Sequence, residues 1–287
     1  MIALISLAMT FGSIAARVEG DTKAEQLLAQ ARQALGGEKN LNKVQGLTCS
    51  GTYERTMGDR QLSGELTIEL QLPDKMLRTE TMNPIGDMTV IIGQGINGET
   101  LLRSQRTVNG PPGAVIRMGT APTGDAEAQA IRNARADMTR TMLALLLASP
   151  ASMPLEFAYG GEAQADAAKA DVLDAKGPGS FAARLFLDQK THRPLMLQYR
   201  GVAPRVVMQT QRMGPPDPAG ARQAEDAAQP PPQLVDISLF FDDYKPVDGV
   251  QIPHRVSRSV DGKPTEEMTF KTIRINPAFK PDTFSAR

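Results

Sequence analysis

The apolar positions along the chain change period several times, and each change marks a predicted element. Leu27, Leu28, Ala31 and Leu35 recur at helical spacing. Thr22 and Glu25 ahead of them make a capping box, whose hydroxyl and carboxylate satisfy backbone donors of a first turn, and Gly36-Gly37 ends the segment. The apolar face is narrow, as for a helix lying on one side of a sheet. From Leu47 to about Arg106 the period drops to two. In Glu65 to Leu72 the alternation is strict: Leu66, Ile68, Leu70 and Leu72 share one side, and Glu65, Thr67, Glu69 and Gln71 the other. That is the pattern of a half-buried antiparallel strand. Met57-Gly58-Asp59-Arg60 reads as the turn before it and Pro73-Asp74 as the turn after it. Met76 to Met82 and Met88 to Ile92 continue the alternation, with Gly93, Gly95 and Gly98 predicted as sharp bends or bulges.

Asp125 to Ser149 returns to a helical period, with Ile131, Met138, Met142, Leu145 and Leu146 on one face and Pro150 as the stop. Its last two turns, Met142 to Ala148, are apolar all round and need cover on every side. The simplest place for such an end is across the concave mouth of a curved sheet. Strands resume near Ala170. Phe181, Ala183, Leu185 and Leu187 alternate with Ala182, Arg184, Phe186 and Asp188, Asp188 to Pro194 makes a hairpin connection, and Leu195, Leu197 and Tyr199 form the returning strand. Pro204 to Pro232 is rich in Pro, Ala and Gln without sustained period, and reads as a surface insertion that cannot bury enough apolar area to offset its ordering entropy. Leu234 to Phe241, Val250 to Val260 and Thr265 to Ile275 are three further strands, the last two joined by a turn at Asp261-Gly262.

The predicted architecture is mainly β: one strongly curved antiparallel sheet, an unclosed barrel, with helices covering the open side. Residues 1–16 read as a signal-like segment, and 17–287 as a single domain with its Pro-rich insertion at about 204–233. The run from Ile2 to Ala16 is uncharged and mostly apolar, with small residues in Ser13-Ile14-Ala15, although it lacks a preceding positive charge. It is too short to cross a hydrocarbon core of roughly 30 Å as a helix. The expectation is therefore an exported, periplasmic protein that does not span the membrane.

Composition narrows the partners. The chain has 287 residues, 32 Lys and Arg against 32 Asp and Glu, no tryptophan and one cysteine. A balanced charge without basic runs argues against nucleic acid. Cys49 alone can form neither an internal disulfide nor a Cys-rich zinc site, and reads as a buried small hydrophobe. His192 and His254 have no ligand partner at metal spacing, so neither a metal nor any other cofactor is expected. Asp242-Asp243 could be a catalytic or metal-binding pair, but adjacent acids at a turn more often face water or cap backbone groups. No G-x-S-x-G elbow is present. The expectation is a protein that is not an enzyme, with a hydrolase using Asp242 or His254 as the weakest reading.

Phe241-Asp242-Asp243-Tyr244-Lys245-Pro246-Val247-Asp248-Gly249-Val250-Gln251-Ile252-Pro253, followed by a strand, a Gly turn and Phe270 to Pro277, resembles the C-terminal half of bacterial outer-membrane lipoprotein-sorting-like proteins, the LolA/LolB-like superfamily. Ala34-Leu35-Gly36-Gly37 with Leu41, Val44 and Leu47 is similar to the same family, as is Leu187-Asp188 through Thr191 to Pro194. The resemblance implies an unclosed barrel of about eleven antiparallel strands and a hydrophobic cavity that takes lipoprotein acyl chains in the periplasm.

These readings converge on a monomeric carrier for a lipid, a lipoprotein acyl chain or another apolar ligand. The expected cavity wall is Leu66, Ile68, Leu70, Val90, Ile92, Leu185, Leu187, Leu197, Ile237 and Leu239. The helix bearing Met138, Met142, Leu145 and Leu146 would act as a lid or plug. Methionine numbers 14 in the chain and suits an adaptable apolar wall. A different class stays open beside it: a structural or interaction module holding envelope protein partners through the sheet exterior or the Pro-rich insertion.

Overall fold

The first strand of the sheet pairs with the last, and this one pairing joins two meanders into a single twelve-stranded antiparallel sheet. The computed structural model describes residues 12–58, 60–85, 87–109, 124–165, 168–202 and 233–285. Three helices, α1 (Gly12–Ala34), α2 (Glu38–Leu41) and α3 (Asp125–Leu146), accompany the strands. The N-terminal meander is β1 (Gly46–Met57), β2 (Arg60–Gln71), β3 (Lys75–Ile85), β4 (Met88–Asn97) and β5 (Thr100–Val108). The C-terminal meander is β6 (Glu156–Ala165), β7 (Ala168–Gly177), β8 (Phe181–Asp188), β9 (Pro194–Val202), β10 (Leu234–Val247), β11 (Val250–Val260) and β12 (Lys263–Ile275). The order across the sheet is β5-β4-β3-β2-β1-β12-β11-β10-β9-β8-β7-β6, so among the described residues β5 and β6 are the edges and the barrel is not closed. This is the mainly β, unclosed architecture expected from the sequence, with twelve strands where the resemblance implied about eleven.

Register sorts side chains into rows. Leu47, Leu70, Met76 and Ile96 stand side by side on β1 to β4, and Leu239, Leu197, Leu185 and Leu173 do so on β10 to β7. Both rows are on the same face, which carries the core. α3 approaches β4 and β5 in one half of the sheet and β9 and β11 in the other. Seven strand spacings separate β4 from β9, roughly 33 Å in a flat sheet. A helix approached by both halves of so wide a sheet lies in a trough, and the face with the rows is its concave side.

α1 closes the other end. Ala24, Leu27, Ala31 and Leu35 form its buried stripe, and it packs on the edge strand β6. Lys23 lies 3.9 Å over the Tyr159 ring and 3.8 Å from Asp171, pinning the helix to β6 and β7. At the far end of α1, the Gln251 amide donates to the Leu35 carbonyl at 2.8 Å, and Asn40 donates to the carbonyls of Gly36 and Gly249. Asn276 binds the β1 start to the end of β12: its Oδ1 accepts from the amides of Gln45 and Gly46, and its Nδ2 donates to the Lys43 carbonyl.

Some expectations need correction. α1 does not begin at Thr22; the helix is continuous from Gly12, so Thr22 and Glu25 are simply neighbours one turn apart on it. Gly93 and Gly95 are not bulges, because the β3–β4 register runs unbroken through both. A Cβ on Gly95 would lie 1.9 Å from the Met76 carbonyl oxygen, so close strand approach explains that glycine; Gly98, at φ 59°, is a true turn residue. β6 was not foreseen. The Pro-rich stretch lies outside the described residues, as does most of the signal-like segment.

Candidate functional site

The concave face is built from alternation, and register shows which predicted residues it brings together. Leu66, Ile68 and Leu70 of β2 line up with Gly51, Cys49 and Leu47 of β1, and across β3 Leu66 continues to Glu80 and Ile92. Val90 follows Ile92 on the same side of β4. Leu185, Leu197 and Leu239 form one row, Leu187 follows Leu185, and Ile237 stands opposite Tyr199. All ten strand residues thus share the concave face. Leu66, Ile68, Leu70, Leu185, Leu187 and Leu197 are buried in the main core cluster, with Leu239 half-buried against it. Val90 and Ile237 are buried outside that cluster, and Ile92 is half-buried.

The four helical candidates, Met138, Met142, Leu145 and Leu146, are all buried in the same cluster. So are Leu143, Ala144 and Leu147, whereas the first turns of α3 are exposed. The all-apolar end is thus covered all round, as its composition requires. Thr139, the buried hydroxyl among these side chains, donates to the Arg135 carbonyl at 2.8 Å. Leu147 caps the helix with φ 49°, and its own carbonyl accepts from Arg32 Nη1 at 2.6 Å.

Two clefts flank this helix end. One of about 220 Å³ lies between Arg32, Leu41, Val44, Pro73, Met142 and Leu146. One of about 70 Å³ lies between Asp74, Ile96, Arg135 and Met138. Pockets for small organic ligands are typically about 300–1,000 Å³. With α3 in place, each cleft is therefore smaller than an acyl-chain site.

The concave face also carries charge that the alternation did not announce. Arg78 and Glu80 of β3 sit in phase with Met76, and Arg55, Glu266 and Arg258 follow one another across β1, β12 and β11. Arg55 Nη2 contacts Glu80 Oε1 at 2.7 Å and Glu266 Oε1 at 2.6 Å; Arg78 Nη2 contacts Glu266 Oε1 at 2.9 Å; Arg258 Nη1 lies 3.2 Å from Glu266 Oε2. The Glu266 side chain is only 1% exposed. Burial would raise its pKa, but Arg78, Arg258 and Arg55 outweigh that and hold it down at about 2. The signal in the sequence was the phase: charges falling where the apolar alternation expects a core residue.

Other candidates separate. Cys49 is fully buried and burial pushes its thiol up to about 12. His254 is buried with Nδ1 3.0 Å from the Ile252 carbonyl oxygen. Asp242 is exposed and paired with Arg255, the residue opposite it on β11. His254, adjacent to Arg255 along the strand, projects to the other face, so Asp242 and His254 do not meet. His192 occupies the β8–β9 turn at φ 57°. Among the described residues, no helix is long and apolar enough to cross a membrane, and no group of three or more His, Cys, Asp or Glu could hold a metal ion.

No family model matches the chain, and no curated protein matches it. Solved structures do. A LolA superfamily protein from Nitrosomonas europaea is 11% identical, with 91% of this chain and 97% of that one covered and a TM-score of 0.49. A DUF1329 family protein from Desulfovibrio piger is 9% identical, covering 91% and 96%, with a TM-score of 0.45. A domain from Vibrio parahaemolyticus described as outer membrane lipoprotein-sorting is 11% identical, covering 92% and 97%, also at 0.45. Two of the three carry names from the group that the sequence resembles.

Proposed function

We propose that this chain is a periplasmic, non-enzymatic carrier that holds a lipid, a lipoprotein acyl chain or another apolar ligand on the concave face of its sheet. One observation carries the reading: the apolar rows are covered, over the trough, by one end of one helix and not by a second sheet. Met142, Leu143, Leu145, Leu146 and Leu147 occupy the place that an acyl chain would take. Burying side chains of this size gains roughly 1.5–3 kcal/mol each, and an acyl chain gains roughly 0.8 kcal/mol per CH₂. A chain of about sixteen carbons therefore recovers on the order of 12 kcal/mol, comparable with the helix end it displaces. Exchange of this helix end for ligand is close to balanced, which is the condition for a carrier that must both load and release.

The test is photo-crosslinking of the full chain with a diazirine-bearing palmitate, mapped by mass spectrometry. Expected labels fall on the concave positions Leu66, Ile68, Leu70, Leu185 and Leu197 and on the α3 end. Labelling confined to the convex face, or none at saturating probe, overturns the reading.

A further inference from the structure

Arginine is a poor wall for an acyl chain, yet three arginines from three separate elements gather about one tyrosine on the concave side. Tyr199 of β9 has the Arg140 guanidinium of α3 stacked 3.9 Å from its ring centre. Burial raises the pKa of the Tyr199 hydroxyl and Asp137 adds to the rise, while the charges of Arg258 on β11, Arg140 and Arg78 on β3 act against it. Arg258 stands opposite Leu239, which stands opposite Leu197, two residues before Tyr199 on the same side of β9. Arg78 stands opposite Ile68. The arginines thus border the apolar rows.

Their partners leave capacity over. Arg55, Arg78, Arg140 and Arg258 face three carboxylates, Glu80, Glu266 and Asp137. Asp137, the partner of Arg140, is itself 58% exposed. The Nε–H groups of Arg140 and Arg258 are buried with no hydrogen-bond partner among the described residues, as are the Tyr53 hydroxyl beside Arg55 and the acceptor Glu266 Oε2, which lies 3.2 Å from Arg258 Nη1 in an ion pair. The side chains stay within reach of solvent, at 15% for Arg140, 23% for Arg78 and 24% for Arg258. A network meant only to rivet the sheet has no use for unpaired buried donors, which cost free energy. A guanidinium that keeps an unpaired N–H suits a carboxylate or phosphate oxygen, bound through a charge-assisted hydrogen bond.

We propose that Arg78, Arg140 and Arg258 around Tyr199 form a head-group site, so that the ligand is an anionic amphiphile whose carboxylate or phosphate binds here while its chain lies along the apolar rows. This rests on the carrier reading and names the ligand class. α3 then has two roles, since its buried end covers the chain site and its Arg140 belongs to the head-group site.

The experiment is calorimetric titration of the full chain with dodecanoate, dodecyl phosphate and dodecanol, each below its aggregation concentration, for wild type, Arg140→Gln and Arg258→Gln. One or both anions are expected to bind wild type at least about tenfold more tightly than the alcohol. The preferred anion distinguishes a carboxylate source from a phosphate source. Each substitution should shrink that preference while leaving dodecanol affinity within about twofold. If Arg258→Gln unfolds, as read by its circular dichroism, Arg140→Gln decides, because its carboxylate partner Asp137 is surface-exposed. Equal binding of anions and alcohol by wild type overturns the head-group site and leaves the carrier reading standing. An anion preference undiminished in the folded variants overturns it too. Failure of all three ligands to bind removes the carrier reading and this site together.

Discussion

Arg32 of α1 donates through Nη1 to the backbone carbonyl of Leu147, at 2.6 Å and across 115 positions of sequence. The acceptor is the left-handed residue that ends α3, and the same guanidinium is held by Glu38 of α2 and by Asn42. One charged group thus ties the end of α3 to the helical layer at its side. A hydrogen bond to a charged donor contributes about 1.5–3 kcal/mol. Arg32→Leu keeps much of the bulk and removes the tie. Amide exchange at residues 143–148 should accelerate by about tenfold or more, with the sheet amides unchanged. Unaltered protection there would mean that apolar burial alone seats the helix.

Acid should loosen the concave side through Glu266. Its folded pKa is about 2 against an ordinary 4.5, so its contribution to stability is complete above pH 4.5 and is lost as pH falls towards 2. Because the folded value is the depressed one, the loss comes on acidification and not on raising the pH. The full linkage is on the order of 3 kcal/mol for a side chain this deeply buried. Glu266→Gln should be less stable at pH 7, by up to a few kcal/mol, and should show a flatter stability profile between pH 5 and 2. Parallel profiles for variant and wild type in urea melts would refute the assignment. Glu80, held low by Arg78 and Arg55 against its own burial, should add to the same acid limb.

Gly36 is a third point where one atom decides. Its φ is 125°, and an added Cβ would lie 2.2 Å from the Gly249 carbonyl oxygen. Both the dihedral and the contact exclude a side chain. Gly36→Ala should therefore cost about 2 kcal/mol or more by separating α1 from the β10–β11 turn. Gly58→Ala serves as the control: it has a positive φ too but nothing within 4 Å, and should cost less. Equal melting temperatures for the two variants would place the cost in backbone strain alone.

The sheet was legible because its strands bury one side: Leu66, Ile68 and Leu70 need only the pleat to declare themselves. The apolar end of α3 was legible for the opposite reason, since a helix without a polar face has one kind of place to go. The edge strand β6 was not foreseen. Phe157 and Tyr159 alternate there, but Ala158, Gly160, Gly161 and Ala163 give the alternation almost no amplitude, and an edge strand buries little. The start of α1 was misplaced because Thr22 and Glu25 make the same spacing inside a helix as at its cap. The arginine cluster was missed for a deeper reason. Arg78, Arg258 and Arg140 are far apart in sequence and neutral in the overall balance; only the register of β1, β12 and β11 and the position of α3 bring them near one tyrosine.

Cys49 offers a chemical clock for opening of the concave side. It stands on the central strand β1 between Ile68 and Ile273, fully buried, and burial moves its thiol from an ordinary 9.0 to about 12. At pH 8 the pKa change alone lowers the thiolate fraction by roughly a thousandfold relative to the exposed group. Native protein should accordingly resist iodoacetamide, and alkylation should proceed through openings that bring Cys49 to water. If seating of α3 limits those openings, Arg32→Leu should label faster than wild type by the same factor that its helix-end amides gain in exchange. A labelling rate unchanged by Arg32→Leu, with helix-end exchange accelerated, would show that Cys49 is guarded by β2 and β12 rather than by α3.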